Sequence, residues 1–340
     1  MRPHQIGGSG FGVAWAGTCD YLEAVNVTER AAAIGGSVER VIEGKAPQIR
    51  LALTVLLAGG HLLIEDVPGV GKTMLAKALG RSLDCSVRRI QFTPDLLPGD
   101  VTGVSVFNQA TREFEFKPGA VFAHIVLGDE INRASPKTQA ALLEAMEERQ
   151  VTVDGHTYLL ASPFMVIATQ NPVEMEGTYP LPEAQRDRFM ARVAMGYPDP
   201  AAELRMLETH GGESALDGIS AVADAAAVSG LVQAVQRVHV ADAVKQYAID
   251  LATATRNSPD LRLGASPRAT LHLIKASRAA AALAGRDFVL PDDVQALAVA
   301  VLAHRLIPTA DAQISRRSPE LVVTELVQRT PVPDAARRSG

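Results

Sequence analysis

Cysteine is nearly absent from this chain. Only Cys19 and Cys85 occur in 340 residues, far apart and with no histidine cluster beside them. That argues against a disulfide framework or a zinc site and for a reducing, cytoplasmic setting. Positive charge is in deficit as well: 33 lysines and arginines face 38 aspartates and glutamates, a net charge of -5. No general attraction to nucleic acid or to an anionic membrane is expected. Long apolar runs are missing too. "LALTVLLAGGHLLIE" is interrupted at Gly59, Gly60 and His61, well short of the about 18 uninterrupted apolar residues of a membrane span, so no direct membrane insertion is predicted. Residues 1–23 have neither a signal-peptide apolar region nor any periodicity, and read as a disordered leader.

Apolar sequence, in contrast, is abundant. A hydrophobic content of 47% over this length can bury a large core and fits two compact units better than one. Residues 22–58 carry apolar positions at helical spacing and end at Gly59–Gly60, which predicts two helices leading into a first strand. Short apolar runs then alternate with helical segments: "HLLIE", "VRRIQF", "HIVLGDE", "FMVIATQN" and "RVAMGY". Continuous rather than alternating hydrophobicity, with helices between, predicts an α/β core over residues 24–198 built on a five-stranded parallel sheet covered on both faces. Two stretches break the rhythm. "GVSVFNQATREFEFKPG" (103–119) and "VTVDGHTYLL" (151–160) alternate about polar turns and read as two β-hairpin inserts. One irregular loop and one ordinary edge hairpin is the alternative. Beyond Pro198 the strand signals vanish, and alanine-rich amphipathic helices near 200–210, 224–256, 267–284 and 291–304 predict an all-α domain over 199–308. Residues 309–340 are expected to be mostly disordered, apart from a short helix near Leu321–Val327.

Chemistry concentrates in five places. "EDVPGVGKT" ends like a phosphate loop, but counting back five from Gly71 lands on Asp66, where the usual pattern has glycine. The donors that hold phosphate are backbone N–H groups at a helix start, here supplied by Gly69 to Thr73, and not the first loop position. The candidate nucleotide-binding residues are therefore Pro68, Gly69, Val70, Gly71, Lys72, Thr73 and Met74, with Lys72 reaching the β- and γ-phosphates and the Thr73 hydroxyl ligating Mg2+. Asp66 is expected to point away. "HIVLGDEINRAS" delivers Asp129 and Glu130 at a strand end, which suits Asp129 to Mg2+ and Glu130 to activating the attacking water. A solvated helix cap is the plainer reading of such a pair in isolation. Asn171, ending "VIATQN", can bridge the γ-phosphate and that water, or simply start a turn.

"EAQRDRF" places Arg186 and Arg188 where either could reach a neighbouring subunit's γ-phosphate or form a surface salt bridge. In "GASPRA", Ser266 caps a helix, Pro267 takes its first position, and Arg268 falls in the opening turn. A cation there is disfavoured by the helix dipole, so an anionic partner such as nucleotide, or plain solvent exposure, would account for it.

With these motifs in order, the chain resembles the AAA+ ATPases and, within them, the MoxR family. The resemblance runs from about Glu29 to Leu306 and rests on "EDVPGVGKT", "DEINRASPKTQAALLEAMEERQVTVDG", "VIATQNPVEMEGTYPLPEAQRDRF" and "GASPRA". It implies an AAA+ P-loop NTPase core with a helical lid, the hairpins being the helix-2 and pre-sensor-1 inserts. It implies Walker A roles for Lys72 and Thr73, Walker B for Asp129 and Glu130, sensor 1 for Asn171, the arginine finger for Arg188 and sensor 2 for Arg268. Family members also carry an acid at the first loop position. Gly128, where alanine is frequent, and Arg186, in place of a usual leucine, are the departures; Arg186 leaves two candidates for the finger. The implied activity is Mg2+-dependent ATP hydrolysis by a ring homo-oligomer, a hexamer, that remodels or matures protein partners, with von Willebrand factor A domain proteins among them. A magnesium-chelatase-like motor is the enzymatic alternative. A nucleic-acid translocase is disfavoured, because residues 151–160 contain no lysine or arginine and the other insert sets Arg112 and Lys117 against Glu113 and Glu115. A nucleotide-gated scaffold without turnover is disfavoured by the filled hydrolytic positions.

Overall fold

The computed structural model describes residues 27–67, 69–171, 178–197, 200, 201, 204 and 216–333. The expected leader, Pro68, most of the expected helix at 200–210 and residues 334–340 lie outside the described residues. Apolar residues at helical spacing fold into α1 (Val27–Glu39) and α2 (Ala46–Leu57), whose inward faces bury Ile34, Val38, Ile49 and Leu53. A proline in the first turn starts α2, and Gly59, at φ +67, follows its end.

The chain then runs through β1 (Leu62–Glu65), α3 (Lys72–Ser82), β2 (Val87–Gln91), the short α4 (Pro98–Thr102), β3 (Gly103–Asn108), β4 (Glu113–Pro118), β5 (Ile125–Asp129), α5 (Pro136–Glu148), β6 (Gln150–Val153), β7 (His156–Leu159), β8 (Met165–Gln170), α6 (Glu183–Arg186) and β9 (Ala191–Val193). The five apolar runs form one parallel sheet in the order β2-β5-β8-β1-β9. Side chains alternate across it. Leu62, Ile64, Leu127 and Ile167 join the core on one face, and Leu63, Val126, Val166 and Ala168 the core on the other. Burial on both faces is why the runs of β1, β5 and β8 read as continuously apolar, whereas the edge strand β2 buries only Ile90. Both hairpins are present, as antiparallel pairs β3–β4 and β6–β7. Asp154 and Gly155 turn the second with φ of +50 and +78, the combination that matches strand twist. Phe116 of β4 stacks on Tyr158 of β7 with ring centroids 3.9 Å apart, which joins the inserts.

The second unit contains α7 (Ala225–Gln236), α8 (Asp242–Arg256), β10 (Leu261–Leu263), α9 (Pro267–Leu283), α10 (Pro291–Leu302), β11 (Ile307–Pro308), α11 (Ala310–Ile314) and α12 (Pro319–Arg329). The expected helix 224–256 is two helices, because residue 239 makes backbone hydrogen bonds to Asp287 and Val289 and so cannot stay in a helical ladder. The unit is also not purely helical. Leu261–Leu263 pairs antiparallel with Ile307–Pro308, a strand pair too short to leave a periodicity. The expected disorder after residue 308 is corrected as well, since the chain is folded to the end of α12. Ser318 caps that helix, Val322 and Val323 are buried, and Arg317 pairs with Asp260 and Glu325. The charges that made this segment look solvated are spent on ion pairs, while a two-valine face docks on the helical unit. Among the described residues no helix is long and apolar enough to cross a membrane.

Three histidines, His61 and His304 buried and His272 half-buried, tie the layers together. His61 accepts from the Val166 N–H at Nδ1 (2.9 Å), so its Nε2 carries the proton and donates to the Met146 carbonyl (3.1 Å). Burial pushes it down to about 4, helped by the Arg149 charge. Burial likewise lowers His272, to about 2, and His304, with Arg305 adding to both shifts. Each is neutral in the fold, whereas the unfolded chain protonates near the ordinary value of about 6.5. The unfolded state therefore binds more protons below that value, and stability is lost on acidification by on the order of 1 kcal/mol per histidine per pH unit. The melting temperature is expected to fall between pH 7 and pH 5; a flat profile over that range would contradict the neutral assignment.

Candidate active site

The phosphate loop is built where β1 ends and α3 begins. Gly69 and Gly71 hold φ of +86 and +87, and a Cβ at either would meet nothing within 4 Å. The need for glycine is thus conformational, worth about 1–2 kcal/mol of left-handed strain, and the space above the backbone stays open. The first-turn N–H groups of α3 have no intrahelical acceptor, which makes this helix start a ready anion site. Asp66 is turned aside. Its carboxylate accepts from the Val67 N–H at 2.8 Å and from the Gly196 N–H, beyond β9, at 2.5 Å. What it offers the loop is its backbone carbonyl, to which Lys72 Nζ donates at 2.8 Å. Burial holds Lys72 below the ordinary lysine value, opposed by the charges of Asp129, Asp66 and Glu130.

Across from the loop, β5 ends in the acidic pair. Asp129 Oδ1 accepts from the Thr169 hydroxyl at 2.5 Å, and Oδ2 accepts from Arg89 Nε and Nη2 at 3.2 and 2.6 Å. Glu130 leaves the strand with φ +58 and donates its N–H to Thr169 Oγ1 at 2.9 Å. Its Oε2 accepts from Gln91 Nε2 at 2.8 Å and pairs with Arg133 Nε at 3.3 Å. One buried hydroxyl, Thr169 of β8, thereby sets both acids. Gly128, just before them, is tightly placed: an added Cβ would come within 3.1 Å of the Phe92 ring.

A cavity of about 420 Å³ brings Gly69, Gly71, Lys72, Thr73 and Met74 together with Asp129, Glu130 and the buried Asn171. Val70 packs against the core instead. Arg89 and Gln91, which the sequence reading missed, complete the wall. Their signal was available in "RRIQF", two polar side chains on one face of a strand, but it needed the β2–β5 adjacency that pairs Gln91 with Asp129. The donor set fits a hard divalent cation beside a polyphosphate. The Thr73 hydroxyl and the Asp129 carboxylate would hold such a cation through two oxygens, as magnesium prefers, once Arg89 yields Asp129 Oδ2.

Arg188 and Arg268 are not in this cavity. Both guanidiniums pair with Glu147 at the end of α5, Arg188 Nε at 3.1 Å and Arg268 by a short contact. The anionic partner expected for Arg268 is thus a carboxylate of its own chain. Beside them lie Gly60, His61 and Met190, which precede β1 and β9, so the pair sits at the N-terminal edge of the sheet. The cavity sits at the C-terminal edge, about 15 Å away by strand length. Arg186, the other finger candidate, has a buried Nε without a hydrogen-bond partner among the described residues.

Comparison with known proteins agrees with this geometry. A family profile described as ATPase family associated with various cellular activities (AAA) matches residues 61–191, and one described as AAA lid domain matches residues 253–326. Chaperone MoxR1 of Mycobacterium tuberculosis is 40% identical over 305 residues, 87% of this chain and 80% of that one. This chain belongs to the MoxR family of AAA+ ATPases. A second relative, the protein YeaC of Bacillus subtilis, is 50% identical over 296 residues, 87% of this chain and 92% of its own. The crystal structure of a provisionally named ATPase from Cytophaga hutchinsonii superposes with a TM-score of 0.85 at 35% identity, covering 93% of this chain and 97% of that one. As a member of the MoxR family, the chain is a nucleotide-binding, ATP-hydrolysing enzyme.

Thr169→Val tests how the acidic pair is held. It keeps the shape but leaves the Glu130 N–H and one Asp129 oxygen without their buried partner, which should cost about 1–3 kcal/mol in denaturant unfolding. An unchanged midpoint would show that the hydroxyl sets neither acid.

Proposed function

We propose that this chain is a Mg2+-dependent ATPase, working as a hexameric ring, whose hydrolytic site is completed by a neighbouring subunit and whose turnover remodels protein partners. One observation carries the reading: Lys72, Thr73, Asp129, Glu130 and Asn171 line one edge of the sheet, while Arg188 and Arg268 meet at the other. No side chain of this length spans that separation, but a head-to-tail arrangement of identical subunits sets one edge against the other, and such contacts close into rings. In this reading the loop N–H groups and Lys72 bind the triphosphate, and Thr73 and Asp129 hold Mg2+. The bound cation would neutralise phosphate charge. Glu130 takes a proton from the attacking water, which Asn171 orients. Glu130 must exchange Gln91 and Arg133 for that water, and Arg89 must yield Asp129 Oδ2. The neighbour's Arg188 and Arg268 leave Glu147 to meet charge developing on the γ-phosphate.

The client surface is assigned to the hairpins. Phe114 is 74% exposed and Leu159 78% exposed, and Phe107 packs edge-on against Phe114 at 5.3 Å. The aromatic tip of the first hairpin, with the exposed Leu159 at the open end of the second, suits an unfolded polypeptide segment better than a phosphate backbone. The relative named Chaperone MoxR1 supports a chaperone-like task; maturation of enzymes and metal-cofactor insertion are the finer tasks suggested by the resemblance. Von Willebrand factor A domain proteins are the partner class suggested by the resemblance.

Mixing two inactive variants tests the shared site. Glu130→Gln and Arg188→Ala should each lower turnover at least about 1,000-fold alone, with ATP binding retained. Mixed in equal amounts they should regain hydrolysis, since an Arg188→Ala subunit keeps its Glu130 and receives an intact arginine from a Glu130→Gln neighbour. No recovery in rings shown to contain both would mean that the arginine acts within its own chain. For the hairpin tip, Phe107→Ser with Phe114→Ser should weaken capture of labelled, unfolded casein about tenfold or more. Unchanged fluorescence anisotropy titrations would remove these residues from the client surface.

A further inference from the structure

Arg188 and Arg268 come from different units, yet a single buried network holds the backbone of both. Asp187 immediately precedes Arg188. Its carboxylate accepts from the Ser266 hydroxyl, 2.9 Å from each oxygen. That same hydroxyl accepts from the Ala269 N–H at 3.1 Å, the cap of α9, in whose first turn Arg268 stands. One hydroxyl thus donates to the residue beside the first arginine and caps the turn that carries the second.

Arg305 closes the network from the other side. Its side chain is 2% exposed, and its Nε pairs with Asp187 Oδ1 at 3.0 Å. Its Nη2 donates to the Asp187 carbonyl at 3.3 Å and to the Phe189 carbonyl at 2.5 Å. One guanidinium therefore holds the main chain on both flanks of Arg188. The same nitrogen lies 2.6 Å from His272 Nδ1, one turn beyond Arg268 on α9. His272 is held neutral, so Nδ1 is free to accept, while Arg305 stays charged at neutral pH although burial lowers it to about 10. A simple tie between the two units would need one ion pair. This one is aimed at the carbonyls flanking Arg188 and at the helix start bearing Arg268.

We propose that Asp187 and Arg305 are positioning residues that fix Arg188 and Arg268 as one rigid unit, presented together to the neighbouring subunit's nucleotide. The proposal rests on the reading that Arg188 acts across the subunit interface. A displacement of about 1 Å at such a group is enough to lower a rate about 100-fold. Arg305→Lys keeps the charge but loses the planar fork that engages the Asp187 carboxylate through Nε and the two flanking carbonyls through Nη2 at once.

The test is a double-mutant cycle on assembled rings, reading kcat, KM for ATP and the melting temperature of Arg305→Lys, Arg188→Ala and the double variant. Arg305→Lys should lower kcat about 10- to 100-fold with KM within about twofold, and should cause no further loss where Arg188 is already alanine. Equal losses in both backgrounds, or a loss confined to KM and melting temperature, would make the network structural only and overturn the proposal. Undiminished turnover in Arg188→Ala would instead sink the reading beneath it. Should Arg305→Lys fail to assemble, Ser266→Ala decides through the same cycle with Arg268→Ala. It leaves every charge in place, and additive losses there overturn the proposal equally.

Discussion

A parallel sheet gives its two ends opposite chemistry, and here its depth keeps them apart. At the C-terminal end, strands deliver Asp129, Asn171 and the loop before α3 around one cavity, the proposed place of the triphosphate and its cation. At the N-terminal end, guanidiniums gather around Glu147. The strands between are three to six residues long, a separation of about 10–20 Å. Every other part of the site answers to that separation. Thr169 holds the acidic pair, Gln91 and Arg133 hold Glu130, and Glu147 pairs with both arginines.

Asp66 shows how a loop can tolerate an acid among its phosphate-binding neighbours. A carboxylate facing the cradle would oppose bound phosphate. Two backbone N–H groups, one of them beyond β9, hold it aside, and only its carbonyl reaches Lys72. The side chain anchors the loop to the edge of the sheet. Gly196, which supplies the second of those N–H groups, is gripped through its own carbonyl by Lys45, at the start of α2.

Much of this was legible in the sequence, for reasons that also explain the rest. Strands buried on both faces must be apolar throughout, so the central β1, β5 and β8 were read most directly. The loop and the acidic pair follow from short contiguous strings, in which spacing along the chain is also spacing in the site. Partners distant in sequence were not legible. Arg89 and Gln91 matter because β2 lies beside β5, and Glu147 because α5 ends near both arginines. Composition misled at the tail, where "SRRSPE" looks solvated although Arg317 is paired and Val322 and Val323 are buried. The break near residue 239 was hidden because the same alanine-rich pattern continues on both sides of it.

The core on one face of the sheet does not stop at the domain boundary. Ile64, Leu75 and Ile167 share a continuous cluster with Val228, Leu231, Leu273 and Ala298 of the helical unit. Swinging that unit away as a separate flap would bring this apolar surface into water, a cost that grows with every residue uncovered. The two units consequently hold together as one stiff block, and in the proposed ring any stroke falls at the polar seams between blocks, which part more cheaply than the core.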